Sequence, residues 1–234
     1  MAAIVPYFHP TTVGFVDDHH HFLESLSLLA PQTLCSETFY SSEDALDWVN
    51  LPHPRQPLAH GCFSYDQGLV RFDLSVLERE ITLPDRFRRI SVVVVDYAMP
   101  NMNGLDFCAQ VSDPDIRKIL LTGVADEKLA VAAFNQGLIH RYVPKASLKD
   151  ISEIYTHVAD MQIRYFQQYG ERITTSLMTD KNQFLWIYDV RPYFEQLYDE
   201  FDVVEFYLQA KPRGYLMVDR YGIATRLVVL SPAE

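Results

Sequence analysis

The chain has little cysteine, little positive charge and no long apolar run, and each shortage narrows what it can be. Its three cysteines, Cys35, Cys62 and Cys108, are odd in number, far apart and in no metal-ligand spacing. A disulfide framework and a cysteine-zinc site are excluded, and buried thiols in a reducing compartment are expected. No apolar stretch approaches the roughly 20 residues that cross a bilayer, and the N-terminus lacks a charged region followed by an apolar signal core. The expectation is a cytoplasmic protein with no membrane contact. Lys and Arg number 20 against 31 Asp and Glu, a formal net charge of −11, which argues against a broad duplex-binding surface. No Walker-type glycine loop, internal repeat or low-complexity tract is present.

What is present is an ordinary globular composition, 48% hydrophobic and 22% charged over 234 residues, enough for a standard domain with a small companion. Short apolar segments at Thr12–Val16, Thr33–Phe39, Ile90–Val95, Lys118–Leu121 and Arg141–Val143 read as strands. The unbroken β-branched run Val92–Val95 has no alternation, which is how a strand buried on both faces of a parallel sheet reads. Helical patterns at His20–Leu29, Ser42–Val49, Gly104–Val111, Glu127–Gln136 and from Ser147 onward separate and follow them. Ser42 is the expected cap ahead of the first-turn acids Glu43 and Asp44, and Gly137 the expected stop. Strand and helix alternating five times imply a doubly wound α/β fold with a five-stranded parallel sheet.

Two stretches depart from that alternation. Residues 50–89, opened by Pro52, Pro54 and Pro57, form an insertion too long to be structureless, so a hairpin or helix is expected within it, with Phe63, Tyr65, Phe72 and Phe87 as a small core or, alternatively, a partner site. After Ser147, the spacing of Ile151, Ile154, Tyr155, Val158, Met161 and Tyr165 predicts a long helix. Segments around Val203–Leu208, Gly214–Val218 and Ala224–Leu230 then predict a three-stranded antiparallel meander.

In an open α/β sheet, ligands gather at the carboxyl ends of the strands. Asp17 and Asp18 close the first strand, Asp96 the third and Thr122 the fourth, while Lys145 follows the fifth. Three carboxylates in one crevice repel one another and demand a cation, and oxygen ligands select Mg²⁺ or Mn²⁺. The run His19–His20–His21 is not expected to chelate one metal, since successive helical positions point in different directions.

Val16-Asp-Asp-His19, Val95-Asp-Tyr-Ala-Met-Pro100 with Gly104, Leu121-Thr-Gly123 and Tyr142-Val-Pro-Lys145 occur in this order. Together they resemble the receiver domain of two-component response regulators, a flavodoxin-like fold, over residues 10–165. The resemblance implies that Asp96 is the phosphoacceptor, taking a phosphoryl group from a sensor histidine kinase or a phosphotransfer protein. It implies that Asp17, Asp18, Asp96 and the backbone carbonyl of Ala98 hold Mg²⁺ or Mn²⁺, and that Lys145 and Thr122 bind the phosphoryl group. Tyr142 is implied to follow Thr122 in the switch. Ala98 and Val124 take the two positions that place a hydrolytic water, and neither side chain can hydrogen-bond one, which implies a slowly hydrolysed phosphorylated state. One departure stands out: the family has proline directly after its lysine, whereas here Pro144 precedes Lys145 and Ala146 follows it.

Residues 166–234 read as a small α+β output module. They are too short for the familiar enzymatic outputs, so no separate catalytic activity is expected beyond self-phosphorylation. Aromatics including Phe184, Trp186, Tyr188, Tyr193, Phe194, Tyr198, Phe206 and Tyr207 suit a protein-interaction or homodimerisation element. The alternative is a transcription regulator whose Lys211, Arg213, Arg220 and Arg226 bind DNA. The acids of residues 183–202 make that a poor recognition helix, and nucleic acid is not the expected partner.

Overall fold

The computed structural model describes residues 5–52, 63–66, 69–73, 75–123, 127–179 and 190–230. Cys62, Val124, Phe184, Trp186 and Tyr188, to which expectations attach, lie outside them, as do the side chains of Phe63, Tyr65 and Phe72. In chain order the elements are β1 (Tyr7–Phe8), β2 (Thr12–Val16), α1 (His20–Leu29), β3 (Cys35–Phe39), α2 (Ser42–Asn50), β4 (Phe63–Asp66), β5 (Leu69–Phe72) and α3 (Ser75–Glu80). There follow β6 (Ile90–Asp96), α4 (Gly104–Gln110), β7 (Arg117–Thr122), α5 (Glu127–Asn135), β8 (Arg141–Pro144), α6 (Glu153–Thr179), α7 (Arg191–Glu200), β9 (Val203–Ala210), β10 (Arg213–Asp219) and β11 (Ala224–Val228). The chain divides into two compact units, one of residues 11–55 and 88–165, the other of residues 1–10, 56–87 and 166–234.

The first unit is built on a five-stranded parallel sheet of order β3-β2-β6-β7-β8. The β-branched run of β6 explains the architecture, because its side chains alternate between two separate apolar layers. Val93 and Val95 pack with Ala45, Val49, Phe107, Leu120 and Ala130, under α2, α4 and α5. Val92 and Val94 pack with Phe15, Leu23, Leu26, Ile119, Ile154 and Val158, under α1 and the first half of α6. A strand buried on both faces has no polar side to show, so the alternation is absent from the sequence.

Local chemistry sets the helix ends. Ser41, not Ser42, caps α2: its Oγ accepts from the Asp44 N–H at 3.2 Å, and Ser42 is a buried first helical residue. Both positions carry serine, so composition could not choose between them. Gly137 takes φ +73° beyond α5, a left-handed conformation that costs glycine little. Cys108 is buried, its thiol pushed up to about 12, but Cys35 is exposed, correcting the expectation of buried thiols. The reason is topological, since β3 is an edge strand of the sheet.

His140, just before β8, accepts the Lys118 N–H at Nδ1 over 3.0 Å. Burial, with the Arg117 and Lys118 charges adding to it, lowers its pKa from 6.5 to about 4. The folded form therefore resists a proton that the unfolded chain accepts near pH 6.5. Stability should be level above that pH and fall as pH drops from 6.5 towards 4. Denaturant titrations at several pH values, with His140→Asn flattening that interval, check this.

The second unit is assembled from three stretches of chain. Its sheet has order β1-β9-β10-β11, all antiparallel, so the expected meander gains a fourth strand from the N-terminus, with Tyr7 opposite Tyr207 and Phe8 opposite Phe206. The insertion does contain a hairpin, β4-β5, and a helix, α3. Its helix packs against β9, so residues 56–87 share a unit with 166–234 although they interrupt the receiver sequence. On one face of this sheet Phe194 of α7 stands edge-on to Phe206 and Tyr215, at 4.9 Å from each. On the other, Arg86 forks onto Glu205 at 3.0 and 3.2 Å, and Tyr207 donates to Glu205 at 2.7 Å. Among the described residues no helix is long and apolar enough to cross a membrane.

Candidate functional site

The register of the parallel sheet carries the expected residues to one edge. Val16 is opposite Val95, Asp96 opposite Leu121, and Thr122 opposite Pro144. The residues that end or follow these strands, Asp17, Asp96, Thr122 and Lys145, therefore arrive side by side at the carboxyl ends. Lys145 Nζ lies 2.7 Å from Asp17 Oδ2 and 2.9 Å from Asp96 Oδ1, across 128 residues of chain in the first case. It also stands 4.8 Å above the Phe22 ring. The proline shift does not keep the lysine away: Pro144 is extended, a short 3-10 turn spans Lys145–Ser147, and the ammonium group reaches both carboxylates.

Electrostatics follow from burial. Asp17 and Asp96 are 1% and 3% exposed. Burial raises the Asp96 pKa; its bonds to Lys145 and the Ala98 N–H pull downward, the Asp17 charge pushes upward, and the net shift is up. For Lys145 burial works to lower the pKa, but the bonds and charges of Asp17 and Asp96 together outweigh it and the net shift is up. Lys145 and the Asp96 carboxylate favour each other's charged form, while the Asp17 charge supports Lys145 and opposes Asp96.

The pocket's carboxyl oxygens fit a hard cation. Ligand atoms of Asp17, Asp18 and Asp96, with one of His19, all lie within 4.8 Å of one another. Asp18 Oδ1 is buried and lacks a well-directed hydrogen bond among the described residues, an oxygen left with acceptor capacity to spare. A single lysine among three carboxylates leaves an uncompensated negative charge that a divalent ion would balance. His19 had no predicted role here; only its position directly after the two aspartates hinted at it.

Thr122 is fully buried, and its Oγ1 has no hydrogen-bond partner among the described residues. Tyr142 is half-buried against Phe134, the rings edge to face at 6.4 Å. Ala98 is exposed in the loop after β6. That loop is closed by Gly104, whose N–H donates to the Tyr97 carbonyl at 3.0 Å. A Cβ at Gly104 would lie 2.4 Å from the Asp96 carbonyl oxygen and 2.8 Å from Leu120 Cδ1. Gly104→Ala should therefore shift the Asp96 backbone, costing about 1–3 kcal/mol. Denaturant unfolding should show that loss.

A parallel sheet of this strand order, with an acidic crevice and an opposed lysine at its carboxyl end, defines a receiver domain. No family model and no curated protein matches the chain. Among solved structures it is similar to the Legionella pneumophila response regulator LqsR, with 36% identity, a TM-score of 0.78, and coverage of 98% of this chain and 69% of that one. The chain belongs to the response regulators. It also matches a signal receiver domain of an HD domain-containing protein from Pseudomonas fluorescens Pf-5, at 20% identity and TM-score 0.47, over 68% of this chain and 98% of that one. A CheY-like receiver domain protein from Methanospirillum hungatei JF-1 matches at 14% identity and TM-score 0.46, over 68% and 98% respectively.

Proposed function

We propose that this response regulator accepts a phosphoryl group on Asp96 from a phosphohistidine of a histidine kinase or phosphotransfer protein, and passes the change on as a protein-interaction or dimerisation signal. The observation that carries the reading is Lys145 Nζ held between Asp17 and Asp96 at 2.7 and 2.9 Å. In the transfer, an Asp96 carboxylate oxygen bonds to phosphorus while the phosphorus–nitrogen bond breaks and the imidazole leaves with the bonding pair. An acyl phosphate results. Lys145 presents a fixed positive charge to the phosphoryl oxygens as they change partners. Asp17, Asp18, Asp96 and the backbone carbonyl of Ala98 would hold Mg²⁺ or Mn²⁺, which when bound neutralises phosphoryl oxygens. The Thr122 hydroxyl, without a partner among the described residues, is suited to donate to the bound phosphoryl group, and Tyr142, on the following strand, to repack when Thr122 moves.

The interaction output is supported by an exposed apolar groove within the second unit, lined by Tyr193 and Leu197 of α7 and by Leu227–Leu230. DNA binding is less well supported, because Arg220 is already paired with Asp202 at 2.6 Å. The test is incubation of the full chain with a small phosphodonor and Mg²⁺, read by intact mass, hydroxylamine lability and size-exclusion elution. One labile phosphoryl group and an altered elution are expected. No uptake from either the phosphodonor or a phosphorylated histidine kinase would end the phosphoacceptor reading.

A further inference from the structure

Lys145 is held from a third side, by a group with no part in the chemistry above. Its ammonium nitrogen carries three N–H bonds, and the carboxylates of Asp17 and Asp96 meet it at 2.7 and 2.9 Å. The same nitrogen stands 4.8 Å from the centre of the Phe22 ring, inside the roughly 6 Å over which a ring face attracts a cation.

The first turn of α1 places Phe22 there. The His19 N–H donates to Asp17 Oδ1 at 2.9 Å, and the His19 ring Nδ1 lies 3.1 Å from Oδ1 of both Asp17 and Asp18, so the start of the helix is tied to the carboxylates of the pocket. The Phe22 N–H then donates to the His19 carbonyl at 3.0 Å. The side chain is half-buried and packs against the apolar layer that holds Leu23, Leu26 and Ile154. That packing asks only for an apolar group, which leucine would supply.

The lysine asks for more. An aliphatic side chain would leave its ammonium group unattracted on this side, and a third carboxylate would neutralise the charge that phosphoryl oxygens need. An aromatic face attracts the cation and leaves its charge whole. It also offers a surface in place of a fixed acceptor atom, so the attraction survives a small displacement of the nitrogen. Such a displacement is built into the transfer: Asp96 gives up its carboxylate charge when one oxygen bonds to phosphorus, and Lys145 turns from it to the phosphoryl oxygens.

We propose that Phe22 is a positioning residue for phosphoryl transfer, its ring face holding the Lys145 ammonium group at the carboxyl edge of the sheet while that group passes from Asp96 to the phosphoryl oxygens. The proposal rests on the reading of Asp96 as phosphoacceptor and adds to it what aims the lysine.

The test measures the initial rate at which a small phosphodonor with Mg²⁺ labels the full chain, in Phe22→Leu and in a series carrying one, two and three fluorines on the ring of residue 22. Fluorine drains negative charge from the ring face and leaves its size and apolar packing nearly as they were. Phe22→Leu should slow labelling by about three- to thirtyfold, and the fluorinated rings should slow it stepwise towards the Phe22→Leu rate. Urea unfolding of the same preparations should leave the fluorinated series level with the wild type. Equal rates across that series would overturn the proposal whatever Phe22→Leu does, because the ring would then serve packing alone. A wild-type rate in Phe22→Leu would overturn it too, and in both cases the labelled wild type leaves the phosphoacceptor reading standing. If the wild-type chain takes up no phosphoryl group from the phosphodonor or from a phosphorylated histidine kinase, that reading itself fails and the proposal with it.

Discussion

Asp96→Asn should abolish phosphoryl uptake, taking the initial rate of labelling down by at least about 10³-fold. The amide keeps the shape of the carboxyl and removes its nucleophilic oxygen. Lys145 retains its bond to Asp17 at 2.7 Å, so the pocket keeps one of its two ion pairs. The substitution also removes a charge that burial disfavours and that Asp17 repels. The variant should therefore unfold at a denaturant concentration no lower than the wild type. Loss of labelling without loss of stability, read by intact mass and by chemical denaturation of the same preparations, separates a chemical role from a structural one. Persistent labelling at full rate would move the acceptor to another residue.

Arg86→Ala should destabilise the protein by about 3–5 kcal/mol, the cost of leaving a buried charge without its partner. Arg86 and Glu205 are only 14% and 7% exposed, and the guanidinium makes two bonds to the carboxylate. It also donates to the Leu83 carbonyl at 2.9 Å and lies 4.0 Å over the Phe87 ring. Burial works to lower the Arg86 pKa, but Glu205 more than offsets it. With arginine gone, Glu205 keeps the Tyr207 hydroxyl and loses its counter-charge. Replacing both partners by apolar residues, Arg86→Met with Glu205→Leu, should recover most of the loss, because no charge is then buried. Urea unfolding of the three variants checks the order. An Arg86→Ala variant as stable as the wild type would mean that water reaches Glu205.

The long helix shows how far local pattern goes. Its apolar spacing was readable, and Ile154, Val158, Met161 and Tyr165 are buried with Tyr155 half-buried, but its start at Glu153 rather than near Ser147 depends on the 3-10 turn at Lys145–Ser147. The same division runs through the pocket. Asp17, Asp96 and Lys145 were readable because strands of one parallel sheet end together, whereas the approach of His19 Nδ1 to two carboxylates depends on the angle at which α1 leaves β2.

By itself the sequence determined the five-stranded parallel sheet, the residues at its carboxyl edge and the existence of a hairpin or helix between residues 50 and 89. These rest on periodicity, capping and strand order, which act over a few residues or recur in a fixed succession. Only the tertiary structure decided that Tyr7–Phe8 pairs with β9 and that residues 56–87 join the C-terminal module. A two-residue strand has no period to read. The bond between Arg86 and Glu205 spans 119 residues, and nothing in either local segment encodes the other. Such pairings form because burial on folding brings complementary groups together, a condition met only once the whole chain is in place.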